Sequence, residues 1–181
     1  MKVLGISGSL RKGSYNTMAL KAAQKLAPQG MTIERFDLRP IPIYDDDVRA
    51  AGFPEPVQAF RRAIAEADAV LFVSPEYNFS IPGVLKNAID WASRPPDQPF
   101  NEKPVAIMGC SPGPVGTTRM QYHLRQVMVF VNAFPLNKPE VAIGNTTQRF
   151  DTEGNLTDEA TAGFVRQLLE ALAAWTERLR K

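Results

Sequence analysis

Residues 2–17 read Lys2-Val3-Leu4-Gly5-Ile6-Ser7-Gly8-Ser9-Leu10-Arg11-Lys12-Gly13-Ser14-Tyr15-Asn16-Thr17. The run from Lys2 to Ser7 has an unbroken apolar interior, the pattern of a strand covered on both faces. It breaks at a loop of glycine, serine and two cations, and the periodicity beyond it predicts a helix over 16–27. Asn16 is its expected N-cap, and Ala19, Ala22, Ala23 and Leu26 share one face. Amides at a helix N-terminus attract anions, and hydroxyls and an arginine add donors, so this strand–loop–helix reads as a phosphate cradle. Gly8 and Gly13 have four residues between them, as in a triphosphate-binding loop, but Ser14 stands where that loop carries lysine. No G-x-G-x-x-G is present either. A phosphate monoester held by hydroxyls and amides fits better, with a plain Ser/Gly turn as the alternative.

The same alternation continues outward. Weaker strand character spans 31–37, followed by a Pro- and Asp-rich stretch, 38–53, expected to be a long loop. Pro54-Glu55-Pro56 opens a helix carrying Val57, Phe60, Ile64 and Ala67 at helical spacing. Strands are predicted at 69–74, 104–110 and 139–143, and helices at 82–93, 118–132 and 158–179. Five βα units with apolar strands predict an open, doubly wound α/β sheet of five parallel strands, order 2-1-3-4-5, with helices on both faces. Ligands bind such a sheet beyond the carboxyl ends of its strands, where the order reverses. That singles out residues 7–16 and 74–82, joined by 110–118.

The chain has 181 residues, 44% hydrophobic and 22% charged, as expected of one domain spanning 1–181. No apolar stretch approaches the ~20 residues of a membrane span, and no secretory leader is evident, so a cytoplasmic protein is expected. A net charge of +2 argues against nucleic acid or an anionic membrane as partner. One cysteine, Cys110, and one histidine, His123, leave no intrachain disulfide and no structural zinc site. Cys110 reads as a small buried hydrophobe, His123 as a surface or interface residue, and Asp45-Asp46-Asp47 as a solvated loop.

Loop 74–82, Ser74-Pro75-Glu76-Tyr77-Asn78-Phe79-Ser80-Ile81-Pro82, can border a flat ring with Pro75 and Tyr77, or be a stiffened loop with an aromatic plug. Loop 109–119 contributes Gly109, Gly113 and Gly116, which permit close backbone approach to a ligand. A phosphate cradle beside a flat-ring slot describes flavin mononucleotide (FMN).

The segments Gly8–Asn16 and Ser74–Asn78, with Ile81-Pro82-Gly83-Val84-Leu85-Lys86-Asn87-Ala88-Ile89-Asp90-Trp91, resemble the NADPH-dependent FMN reductase family, closest to its chromate and quinone reductases. Arg119–Gln126 and Asn137-Lys138-Pro139-Glu140 add to the likeness, which spans roughly residues 3–175. Gly116-Thr117-Thr118 departs from it, where the family often has a Gly-Gly pair. The resemblance implies a flavodoxin-like fold and homodimers or homotetramers with flavin at the subunit boundary. It implies phosphate contacts from Ser9, Arg11, Ser14, Asn16 and Thr17, and ring contacts from Pro75, Glu76, Tyr77, Asn78 and Ser111. The implied activity is hydride transfer from NADPH or NADH to bound FMN, then two electrons to quinones, free flavin, azo compounds or chromate in ping-pong fashion. No side chain is required as catalyst, because the flavin carries the redox chemistry. A flavodoxin-like electron carrier is the alternative, disfavoured by the absence of an acidic surface; a nucleotide-binding module without redox activity is a third.

The run Met128-Val129-Phe130-Val131 makes more than one face of helix 118–132 apolar. This predicts burial against core or partner, with a dimer interface here and along 82–93, Trp91 included. Arg119, Tyr122 and Glu140 are expected to form a polar network between dimers.

Overall fold

The structure is a computed structural model and describes residues 1–180. The chain runs β1 (Lys2–Ser7), α1 (Tyr15–Leu26), β2 (Thr32–Phe36), α2 (Asp46–Ala51), α3 (Glu55–Glu66), β3 (Ala69–Val73), α4 (Gly83–Ala92), β4 (Pro104–Cys110), α5 (Thr118–Phe130), β5 (Phe134–Pro135), β6 (Val141–Ile143), a 3₁₀ turn (Thr146–Gln148) and α6 (Glu159–Leu179). The sheet is parallel throughout, in the order β2-β1-β3-β4-β5, with β6 also beside β4. This is the flavodoxin-like arrangement expected.

Side-chain alternation divides the sheet between two cores. Val70 and Phe72 of β3 face α3, α4 and α5, where Phe60, Ile64, Leu85, Ile89 and Leu124 pack on them. Ala69, Leu71 and Val73 face α1 and α6 and meet Leu20, Val165, Leu168 and Leu172. Every residue of β3 and β4 is buried, which is why these strands read as unbroken apolar runs. From β1 the chain crosses one face through α1 to β2, and from β2 it crosses the other through α3 to β3. The crossover direction therefore reverses between β1 and β3, opening a crevice at their carboxyl ends.

Four expectations need correction. Ser14, not Asn16, caps α1: its backbone is extended and its hydroxyl accepts from the Asn16 amide at 3.2 Å. The fifth strand is split, β5 lying beside Pro104–Val105 and β6 beside Met108–Cys110. The amides of Phe134 and Leu136 donate to Lys103 and Val105 at 2.9 and 2.7 Å, and the chain then leaves β4 and rejoins it at Val141. The 38–53 stretch contains α2, because the Asp45 carboxylate accepts from the Asp47 amide and starts a helix. Finally, Trp91 is fully buried, its indole donating to the Pro42 carbonyl at 2.8 Å, so it belongs to the core and not to a surface for a partner. In α5 the apolar run straddles two environments: Met128 is buried, whereas Val129 and Phe130 are 78% and 76% exposed.

No helix among the described residues is long and apolar enough to cross a membrane. The last helix is anchored by Asp158, whose carboxylate accepts from the Thr161 amide at 2.8 Å and from Arg149 at 2.7 Å. The Thr161 hydroxyl and amide, with the nearby Arg149 charge, hold this carboxyl below the usual carboxylate range. A depressed folded-state pKa stabilises above the unfolded value and is lost as pH falls through the folded one. Asp158→Asn should therefore lower the urea midpoint at pH 7 and flatten its fall below about pH 4. Equal slopes for the two proteins across that acid limb would contradict this.

Candidate functional site

The carboxyl ends of β1, β3 and β4 lie side by side, with Ser7 paired to Val73 and the Ser74 amide donating to the Met108 carbonyl at 3.0 Å. They pack more closely than side chains allow. A Cβ at Gly8 would sit 2.3 Å from the Ser74 hydroxyl, and one at Gly109 only 2.1 Å from the Ser74 carbonyl oxygen. The loops at 8–14, 74–82 and 111–117 leave from this floor and enclose a cleft of about 410 Å³.

One wall is the start of α1. The Ser14 amide closes a turn onto the Arg11 carbonyl at 3.1 Å, and the Ser9 hydroxyl accepts from the Arg11 amide at 3.3 Å. Once Ser14 has capped Asn16, the amides of Tyr15 and Thr17 remain without intrahelical acceptors. The first turn carries no acid. Arg11 is exposed, forms no ion pair among the described residues and lies 5.8 Å over the Tyr15 ring. The helix N-terminus, two buried hydroxyls and this free guanidinium thus offer donors to an anion. The opposite walls are Pro75 and Tyr77 from loop 74–82, and Cys110 and Pro112 beyond β4.

Of the ten residues implied by the motifs, Ser9, Arg11, Ser14, Asn16, Pro75 and Tyr77 line this cleft. Thr17, Glu76, Asn78 and Ser111 do not line it, and each is engaged or exposed elsewhere. The Thr17 hydroxyl lies 3.1 Å from that of Ser7. Glu76 accepts from the Met120 amide at 3.0 Å, at the start of α5. Asn78 and Phe79 have φ of 52° and 63° and form the tip of a tight turn, closed by reciprocal bonds between Tyr77 and Ser80 at 3.1 and 2.9 Å. The Ser111 hydroxyl accepts from the Gly113 amide at 3.2 Å.

Three lining residues were not singled out as contacts: Tyr15, Cys110 and Pro112. Their signal was positional, since Tyr15 follows the cap, Cys110 ends β4 and Pro112 lies in the loop after it. Burial pushes the Cys110 thiol upward in pKa, which keeps it protonated and inert as a nucleophile.

Within one chain the Tyr122 hydroxyl donates to Glu140 at 3.1 Å, and Arg119 is not part of that pair. It turns instead to Glu76 at 3.5 Å and stacks 4.1 Å from the centre of the Phe79 ring. The physical reason is proximity: the strained turn brings an aromatic face and a carboxylate to the start of α5. His123 is exposed on α5, with Nδ1 2.8 Å from the Ser80 hydroxyl.

Asn16 has a separate task. Its Nδ2 donates to the Cys110 carbonyl at 3.0 Å and its Oδ1 accepts from the Cys110 amide at 2.8 Å, so one buried side chain ties the first loop to the end of β4. A slightly larger cleft of about 430 Å³ lies away from the strand ends, between α1, α6 and the turn at 153–156. Its Lys25 and Arg166 are engaged by Asn155 and Glu159, and the carboxylates of Glu153 and Glu159 line it beside Lys21, which disfavours an anion. Asn16→Ala strands both Cys110 groups and should cost about 1–3 kcal/mol in urea unfolding; a loss of a few tenths would show that the tie contributes little.

The model of the NADPH-dependent FMN reductase family matches residues 1–148. An NAD(P)H-dependent FMN reductase of Pseudomonas aeruginosa is 57% identical over 180 residues, covering 99% of this chain and 97% of that protein. A quinone reductase of Escherichia coli K12 is 43% identical over 183 residues, with 99% and 97% covered. Among solved structures, the flavoenzyme NAD(P)H:(acceptor) oxidoreductase FerB of Paracoccus denitrificans superposes with a TM-score of 0.89 at 38% identity, covering 98% and 97% of the two chains. With the crevice, the anion cradle and these likenesses in agreement, the chain belongs to the NADPH-dependent FMN reductase family, the flavin-dependent oxidoreductases that include quinone reductases.

Proposed function

We propose that this protein is a single-domain FMN-dependent enzyme that takes hydride from NADPH or NADH and passes two electrons to quinones, with free flavin, azo compounds and chromate as further acceptors. The observation that carries this reading is the pairing, in one cleft, of the Ser9–Arg11–Ser14 cradle with a slot walled by Pro75, Tyr77 and Pro112.

The donor set suits FMN. Two serine hydroxyls, the α1 amides and Arg11 match a phosphate monoester dianion, and Asn16 and Thr17 hold those donors in place. The apolar, aromatic and proline-lined slot suits a flat ring, and the peptide groups of Glu76 and Asn78 are left to read its edge, those of Ser111 being bound to Ile143 and Thr146. When bound, FMN supplies the chemistry, accepting hydride from the nicotinamide and giving up two electrons to the acceptor. The protein fixes the phosphate end, which sets the depth of the ring. Tyr77 and Pro75 border the slot on one side, and Pro112 and Cys110 on the other. One cleft would have to serve nucleotide and acceptor in turn, which predicts ping-pong kinetics.

Val129 and Phe130 stand exposed beside a groove of about 380 Å³ between α4 and α5. We assign this surface to a second copy of the chain, giving a homodimer or a pair of dimers in the cytoplasm. Light scattering at micromolar concentration should return a multiple of the chain mass, and a monomer would refute the assignment.

The decisive experiment is the visible spectrum of the protein reconstituted with FMN, before and after anaerobic NADPH. Bleaching followed by recovery on adding a quinone is expected. A flavin spectrum unchanged by NADPH or NADH would indicate an electron carrier, and failure to take up FMN would overturn the cleft assignment. In the same titration Arg11→Ala should weaken FMN about tenfold or more and leave riboflavin, which lacks the phosphate, unaffected.

A further inference from the structure

Loop 74–82 reaches the cleft through Pro75 and Tyr77, and reciprocal backbone bonds between Tyr77 and Ser80 close its tip. Its tip carries two consecutive non-glycine residues at positive φ, one of them the aromatic Phe79. Such a conformation persists only where surrounding contacts overdetermine it. Besides those backbone bonds, the polar and aromatic side chains of the turn reach to α5. Glu76 Oε2 accepts from the Met120 amide at 3.0 Å, and Oε1 lies 3.5 Å from Arg119. Arg119 covers the Phe79 ring at 4.1 Å, and the Ser80 hydroxyl meets His123 at 2.8 Å.

The start of α5 needs such a partner. Thr117, its N-cap residue, makes no side-chain capping bond, and its hydroxyl accepts instead from Gln121 at 3.2 Å. The open amide of Met120 is met by Glu76, 44 residues earlier in the chain. A carboxylate at a helix N-terminus gains from the hydrogen bond and from the helix dipole together. The Glu76 side chain is only 10% exposed and does not line the cleft.

We propose that Glu76 is a positioning residue: it clamps the ring-binding loop to the N-terminus of α5, and with Arg119 holds the strained turn that places Tyr77 at the flavin slot. The proposal rests on the FMN reading for its functional consequence, but the clamp itself is testable without flavin. Glutamine can still accept from the Met120 amide through its carbonyl oxygen, whereas alanine cannot, so the two substitutions separate the capping bond from the charge.

The test is hydrogen exchange by mass spectrometry on flavin-free full-length protein, with FMN titration followed by fluorescence. Glu76→Ala should speed exchange in peptides covering 74–83 and 117–124 and leave the peptide covering 7–17 unchanged. Its FMN dissociation constant should rise about tenfold or more, the loss of one charge-assisted hydrogen bond. Glu76→Gln should restore protection at 117–124 and bring FMN binding back to within about threefold of the native protein. Arg119→Ala combined with Glu76→Ala should weaken FMN by less than the product of the two single effects. Unchanged exchange at 117–124 in Glu76→Ala would overturn the clamp. A glutamine variant that binds FMN as poorly as alanine would also overturn it, pointing to a direct role of the charge. Native protein that takes up no FMN, while Glu76→Ala still speeds exchange, would refute the flavin reading and leave the clamp standing.

Discussion

The close approach of three strand ends sets the geometry of everything above them. Gly8, Ser74 and Gly109 meet at separations that exclude a Cβ at either glycine. Because β1, β3 and β4 are sealed on both faces, their peptide groups are satisfied within the ladder and the strands end together. The chain must then leave the sheet, and it leaves in opposite directions on either side of β1. The cleft is what remains between departing loops. Its floor is rigid because it is sheet, and its walls are specific because they are loops fastened at chosen points.

Those fastenings divide the polar residues of the site into two groups. Ser9, Ser14 and Arg11 keep donors turned toward the cleft. Asn16, Thr17 and Glu76 use their polar groups on the protein: Asn16 on Cys110, Thr17 on Ser7, and Glu76 accepting from the Met120 amide. In the proposed reading the first group would hold the phosphate, and the second keeps the first in register. An enzyme whose cofactor supplies the redox chemistry has little need of reactive side chains and much need of fixed ones. The buried, protonated Cys110 and the surface-facing His123 fit that economy.

Helix α5 serves both sides of the molecule. Its first turn receives the ring loop through Glu76, Arg119 and His123, while its last turn exposes Val129 and Phe130. The apolar run there makes more than one helix face apolar, because a helix turns 100° per residue and four consecutive residues point in different directions. Met128 and Val131 enter the core, and the two between them are left outside.

Much of this was legible in the sequence, because the signals are local. Unbroken apolar runs mark doubly covered strands, and the Ser/Gly loop after β1 marks an anion cradle whatever lies elsewhere in the chain. Strand order and the placing of three loops at one end followed from these. The split of the fifth strand was not visible, since the amides flanking Pro135 still donate to β4 and the chain leaves the sheet only after Leu136. The direction in which each polar side chain points was not visible. Asn16 finds its partner 94 residues away and Glu76 finds its own 44 residues away. A motif records that a carboxylate or an amide stands beside the site. Only the folded chain, by bringing the end of β4 and the start of α5 within hydrogen-bond reach, decides whether that group faces the ligand or holds the wall.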